Sequence, residues 1–249
     1  MLNFLLRPIA RKVEEFYRNE SINAVQSQDF IFKNLLSNGI NTTFGREHKF
    51  DKVIDHKTFC ERVPVRNYEG LRPYIDKIIR GENNVLWNGS PSYFAISSGT
   101  TSGSKYIPLT KESLACQINT SRNLVLNHLA EIDNYDILKG KAMFISGTSK
   151  LSKTGNIPTG KLSGIVNSLA PWWIKKAQKP SNKTGMIEEW SERLDNIIIE
   201  THRSDLRLLG GIPPWVQMYF EELIKYTGKQ TIREIFPNLS LFVHSGANF

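Results

Sequence analysis

From Tyr93 to Thr110 the chain runs from a short apolar segment, Tyr93-Phe94-Ala95-Ile96, into Ser97-Ser98-Gly99-Thr100-Thr101-Ser102-Gly103-Ser104, and on to Lys105 and Ile107-Pro108. Few folds tolerate so many hydroxyls and glycines between an apolar entry and a lysine. Glycine lets the backbone turn tightly and approach a ligand, successive N–H groups can converge on anionic oxygens, hydroxyls add short donors, and a lysine adds a point charge. The apolar entry reads as a buried strand. Leu114, Ile118, Val125 and Leu129 recur at helical spacing behind Thr110, a residue suited to cap a helix start. The expected order is strand, polar phosphate-type loop, helix. A flexible linker of the same composition needs neither the strand before it nor Lys-x-Ile-Pro-x-Thr after it.

The glycines are four apart with no Gly-Lys-Ser/Thr closure, and the chain contains no G-x-G-x-x-G, so neither familiar nucleotide loop is present. The run does resemble the first motif of adenylate-forming enzymes, whose Ser/Thr-Ser-Gly-Thr-Thr-Gly-x-x-Lys loop embraces the phosphates of ATP. Further landmarks narrow the resemblance: Phe44-Gly45, Val63-Pro64-Val65, Tyr68-Glu69, Pro73-Tyr74-Ile75, Gly81-Glu82 and Val85-Leu86-Trp87. In this order they are similar to the Gretchen Hagen (auxin-responsive promoter) family of acyl acid amido synthetases within the luciferase-like superfamily. Gly211-Ile212-Pro213-Pro214-Trp215 and the lack of longer insertions resemble its bacterial branch. An acyl-CoA ligase would share the loop but not the landmarks from Thr43 to Trp87.

That resemblance implies ATP and Mg²⁺ as cofactors, with a small carboxylic acid and an amino acid as substrates. The acid would be adenylated and then joined to the amine, with no covalent role for any side chain. It assigns the phosphates to Ser97, Ser98, Gly99, Thr100, Thr101, Ser102, Gly103 and Lys105. It also puts Ser245, Gly246 and Ala247 beside the adenine, although a plain turn after a strand explains these three equally well. Trp172 and Trp215 are acyl-pocket candidates, and aromatic core or cover is the alternative for both. The family's later acidic and aspartate motifs and its small C-terminal domain do not occur before Phe249. The chain therefore reads as the N-terminal part of the large domain, expected to bind nucleotide weakly and to make no amide unassisted.

The remaining expectations come from residue patterns. Strands near 93–96, 142–145, 206–209 and 239–243, separated by amphipathic helices, point to an α/β fold with a mainly parallel sheet. N-terminal helices are expected within residues 1–40, and a further helix over 69–79, ended by Gly81. The net charge of +8 has one main source, a stretch from Asp136 to Glu188 without an acidic residue but with nine lysines. It reads as a basic loop over 146–185, which could alternatively dock an acidic partner as a non-enzymatic binding module. No nucleic-acid-binding signature accompanies it, and no apolar run approaches the roughly 18 residues of a membrane helix. A cytoplasmic monomer is expected. Cys60 and Cys116 lack metal or disulfide spacing, with Cys116 expected to be buried, and no histidine has a partner at ligand spacing, so each reads as structural.

Overall fold

The computed structural model describes residues 2–97, 104–170 and 172–244, with side chains from Leu6 onward except at Trp172 and Trp173. Helices α1 (Leu2–Ile22), α2 (Ala24–Gly39), α3 (Thr43–Glu47), α4 (His56–Arg62) and α5 (Tyr68–Ile79) precede strands β1 (Tyr93–Ser97) and β2 (Lys105–Leu109) and the long helix α6 (Lys111–Ile132). Next come β3 (Lys141–Ile145), β4 (Ser152–Thr154), β5 (Ile157–Gly160), α7 (Leu162–Ser168), α8 (Trp172–Ala177), β6 (Gln178–Lys179) and α9 (Asn182–Gly185). The chain closes with α10 (Trp190–Thr201), β7 (Leu206–Gly211), α11 (Pro213–Thr227), α12 (Ile232–Ile235) and β8 (Leu241–His244). Among the described residues no helix is long and apolar enough to cross a membrane.

The chain divides into two units, one of residues 1–9, 128–151 and 161–249 and the other of residues 10–127 and 152–160. Each has its own sheet. In the first unit the order is β6-β3-β7-β8 and every pairing is parallel. In the second it is β2-β1-β5-β4, with a parallel β1–β5 pair between two antiparallel ones. The α/β class and the predominance of parallel pairing match the expectation, but β1 belongs to a different sheet from the other three expected strands. The physical reason lies in β1 itself. One edge is paired with β2 from Tyr93↔Leu109 to Ser97↔Lys105 and the other with β5, so β3 has no free edge to join.

In the first unit α10 and α11 carry Leu194, Ile197, Ile198, Val216, Tyr219 and Leu223 onto Met143, Ile145, Leu206 and Leu209 of the sheet. Pro213 and Pro214 start α11, where a missing N–H costs nothing, and Gly228 ends it at φ 67°. Tyr219 and Thr201 are both fully buried, and their hydroxyls lie 2.7 Å apart. Thr201 donates its only hydroxyl proton to Ile197 O at 2.6 Å, so Tyr219 is the donor between the two. Burial pushes the Tyr219 phenol well up, against the opposing bond to Thr201.

The basic stretch is not a loop. It contains β4, β5, α7, α8, β6 and α9, and several of its lysines are used within the fold. Lys141 Nζ donates to Lys176 O at 2.8 Å, Lys175 Nζ donates to Ser168 O at 2.9 Å, Lys150 pairs with Glu188, and Lys179 lies 3.7 Å from Glu200. Glu200 also accepts from Ser181 N at 2.7 Å, Ser181 Oγ at 2.6 Å and the Thr184 hydroxyl. Burial pushes the Glu200 carboxyl up, but the Ser181 and Thr184 hydrogen bonds and the Lys179 charge outweigh it, leaving the group below its ordinary range. A depressed carboxylate contributes stability that is complete above the ordinary value of 4.5 and is lost as pH falls through the folded value.

The second unit packs Tyr74, Ile75 and Ile78 of α5 against Val85, Phe94 and Ile157. Cys116 is exposed rather than buried, because it lies about 200° around α6 from the buried Leu114. Phe44-Gly45 has a local explanation. Buried Thr42 donates to Gly39 O at 2.7 Å and accepts from Gly45 N at 2.9 Å, which draws α3 onto the end of α2. A Cβ on Gly45 would fall 2.1 Å from Gly39 O and 2.9 Å from its carbonyl carbon, both of them backbone atoms.

Gly45→Ala is therefore expected to lower stability by about 2 kcal/mol or more, read from the urea midpoint at constant slope. Glu200→Gln is expected to cost about 1–2 kcal/mol at pH 7 and progressively less as the pH is lowered below 4.5 and through the folded value, measured by urea unfolding across that range.

Candidate functional site

Beyond the hydroxyl-rich segment the chain forms a second strand, β2, paired antiparallel with β1, before it enters a helix. Ser97 and Lys105 face each other as the last pair of the β1–β2 register, so the segment between them leaves and re-enters one ladder. Helix α6 follows β2, with Thr110 Oγ1 accepting from Ser113 N at 3.1 Å as the expected cap. Strand and helix stand where the pattern put them. Strand β2 between them was hidden by Pro108, which sits on the sheet's edge strand, where a missing N–H breaks no ladder bond.

Strand β2 is braced from α5. Asn67 caps that helix by accepting from Gly70 N at 3.0 Å, which places Tyr68 in the first turn. From there the Tyr68 hydroxyl accepts from Tyr106 N at 2.8 Å. Tyr106 is opposite Ile96, and as β2 is an edge strand its outward N–H needs a partner beyond the sheet. The Lys105 ammonium lies 5.8 Å from the centre of the same Tyr68 ring. Among the described residues no carboxylate pairs with Lys105, so its charge remains available to an anion.

Behind Tyr68, Arg66 fixes the entry to α5. Its guanidinium lies 5.8 Å from the Phe44 ring centre and 5.9 Å from that of Tyr74. It donates to His48 Nε2 at 2.9 Å and to the Tyr74 hydroxyl at 3.3 Å. Arginine can only donate, so His48 Nε2 is an acceptor and Nδ1 carries the proton it gives to Phe44 O at 2.8 Å. His48 is thus a neutral structural histidine, stacked on Phe44 at 4.1 Å. Tyr74 donates to Glu47, and burial first, then this bond, pushes its phenol up. Phe44, Tyr68 and Tyr74 of the sequence landmarks are all parts of this brace.

Ser97 and Lys105 are the expected phosphate ligands that the structure describes. Ser98, Gly99, Thr100, Thr101, Ser102 and Gly103 lie outside the described residues, as do Ser245, Gly246, Ala247 and the Trp172 side chain. Trp215 packs beside Trp190, with ring centres 5.1 Å apart, against the core of the first unit. Sequence reasoning gave no role to Arg66 or Tyr68, because the bond that defines Tyr68 spans 38 residues and no local spacing announces it. Among the described residues no three His, Cys, Asp or Glu side chains converge on a metal position. Lys105, with no carboxylate partner among the described residues, suits an anionic phosphate.

The model of the GH3 family N-terminal domain matches residues 13–182, which include the whole hairpin and its brace. The chain belongs to the GH3 family. Among curated relatives, indole-3-acetic acid-amido synthetase GH3.2 of Arabidopsis thaliana is 31% identical over 152 residues, covering 59% of this chain and 26% of that protein. Indole-3-acetic acid-amido synthetase GH3.15 of the same plant is 35% identical over 136 residues, 54% of this GH3 chain and 22% of the relative. A solved GH3.15 acyl acid amido synthetase superposes with a TM-score of 0.66 at 23% identity, over 88% of this chain and 41% of that one. The GH3.15 enzyme in complex with 2,4-DB gives 0.67 at 21% identity, covering 93% and 44%. The chain thus spans about a quarter of the curated relatives it matches and under half of the solved ones, and the likeness in structure is one of fold.

Tyr68→Phe is expected to leave the fold intact while removing the acceptor for Tyr106 N–H, a loss of about 1 kcal/mol. Hydrogen exchange at the Tyr106 amide is then expected to speed up about fivefold, with no change at Phe94.

Proposed function

We propose that the protein to which this chain belongs activates a small carboxylic acid with ATP and passes the acyl group to an amino acid. The substrate carboxylate attacks the α-phosphorus, a carboxylate O–P bond forms, and the bond to the β-phosphate breaks to release pyrophosphate. The amine then attacks the acyl carbon, AMP leaves with the bonding pair, and the nitrogen loses a proton. This chemistry needs two anions held together and the charge on the departing pyrophosphate stabilised, with no covalent contribution from the protein.

The observation that carries the proposal is the hairpin mouth. Ser97 and Lys105 are held opposite each other, and Lys105 has no carboxylate partner among the described residues. Tyr68 fixes the strand that presents it. Family membership and the names of the relatives, which are amido synthetases, support the reading. In the proposed site Ser97, Ser98, Thr100, Thr101, Ser102 and the backbone at Gly99 and Gly103 contact the β- and γ-phosphates. Lys105 would add charge, and Mg²⁺ bound with the nucleotide would supply further neutralisation of the phosphates. Ser245 to Ala247 border the adenine, and Trp172 and Trp215 the acyl group. We place the protein in the bacterial branch of the GH3 family, within the adenylate-forming superfamily, on the Gly211-to-Trp215 pattern and the lack of longer insertions, and in the cytoplasm as a monomer.

Lys105→Ala and Thr100→Val are each expected to weaken protection of the chain by an ATP analogue about tenfold or more, the value of one charged or bridging phosphate contact. Unchanged protection in both variants would refute a phosphate role for the hairpin.

A further inference from the structure

Away from the hairpin mouth, the second unit contains a cavity of about 440 Å³ among α2, α5, the 85–91 segment and the start of α6. The volume lies within the range of small-molecule sites. Leu35, Ile78, Val85, Leu86 and Trp87 make its walls apolar, and Thr110, Glu112 and Ser113 supply its polar edge. Glu112 carries the one formal charge in the lining. Its own backbone N–H and the Thr110 hydroxyl, aided by the Trp87 indole and Lys111 against desolvation, hold its carboxyl below the usual range. The group is therefore anionic at neutral pH.

A helix start ordinarily favours an anion, but two donors of this one are engaged: Ser113 N donates to Thr110 Oγ1 at 3.1 Å and Leu114 N donates to Thr110 O at 3.1 Å. A carboxylate entering the cavity would meet a fixed negative charge and find those donors taken. A cation would meet a carboxylate beside apolar walls and the Trp87 ring.

We propose that this cavity binds a small primary amine with an aromatic or branched apolar body, its ammonium against Glu112 and its body among Leu35, Ile78, Val85, Leu86 and Trp87. The site shares no residue with the proposed phosphate mouth, so it stands whether or not that reading holds. Cys116, exposed and in the cavity lining, reports on occupancy.

The test uses the 249-residue chain with Cys60→Ser and follows the reaction of Cys116 with a disulfide reagent. The probes are 2-phenylethylamine and its anionic counterpart 3-phenylpropanoate. At roughly 5 mM and a Kd of about 1 mM, the amine should slow labelling about sixfold, and the carboxylate should not. Glu112→Gln should abolish the protection, and Glu112→Asp should retain part of it. Equal protection by both probes, protection that survives in Glu112→Gln, or none by the amine would overturn the proposal. Slow labelling without probe that speeds up on dilution would instead assign the cavity to a second copy of the chain and overturn it equally.

Discussion

A β-strand has two hydrogen-bonding edges, and in β1 both are engaged. Strand β2 takes one edge from Tyr93 to Ser97, and β5 takes the other at Phe94 and Ala95. Much follows from this saturation. The parallel sheet of β6, β3, β7 and β8 has to form on its own, so the chain divides into two units with separate cores. Ser97 and Lys105, the residues on either side of the polar segment after β1, are also paired in one ladder.

The landmarks shared with the GH3 family acquire a physical meaning beside this hairpin. Gly45 is glycine because α3 meets the carbonyl of Gly39 with no space for a Cβ. Phe44 and Tyr74 flank the Arg66 guanidinium, His48 accepts from it, and Asn67 starts the helix whose first turn carries Tyr68 to the β2 edge. These residues brace the strand that carries Lys105 through packed rings and hydrogen bonds, a partly buried network of Arg66, His48, Tyr74 and Tyr68.

Charge plays a different part from the one its distribution along the chain suggests. The acid-free stretch between Asp136 and Glu188 lies within a series of short helices and strands. Lys141 and Lys175 bond carbonyls, while Lys150 and Lys179 reach glutamates from beyond the stretch. The exposed pairs among them add little stability, but cations engaged this way are poorly suited to an extended acidic partner. Lys105 is different, since its described neighbour is an aromatic ring and among the described residues no carboxylate pairs with it.

Local pattern determined much of this. The cap at Thr110, the proline start and glycine stop of α11, the apolar faces of α5 and α10, and strands β1, β3, β7 and β8 depend on residues within a few positions of one another, so they are legible in the chain, while β2, β4, β5 and β6 are not. The order of landmarks likewise led to the family. Only the tertiary structure decided that β1 and β3 occupy different sheets, that Cys116 opens on a cavity, and that Tyr68 holds the strand carrying Lys105. Edge saturation, enclosure and a hydrogen bond between residues 68 and 106 are relations between segments distant in sequence, and spacing along a chain carries no information about which distant groups will meet.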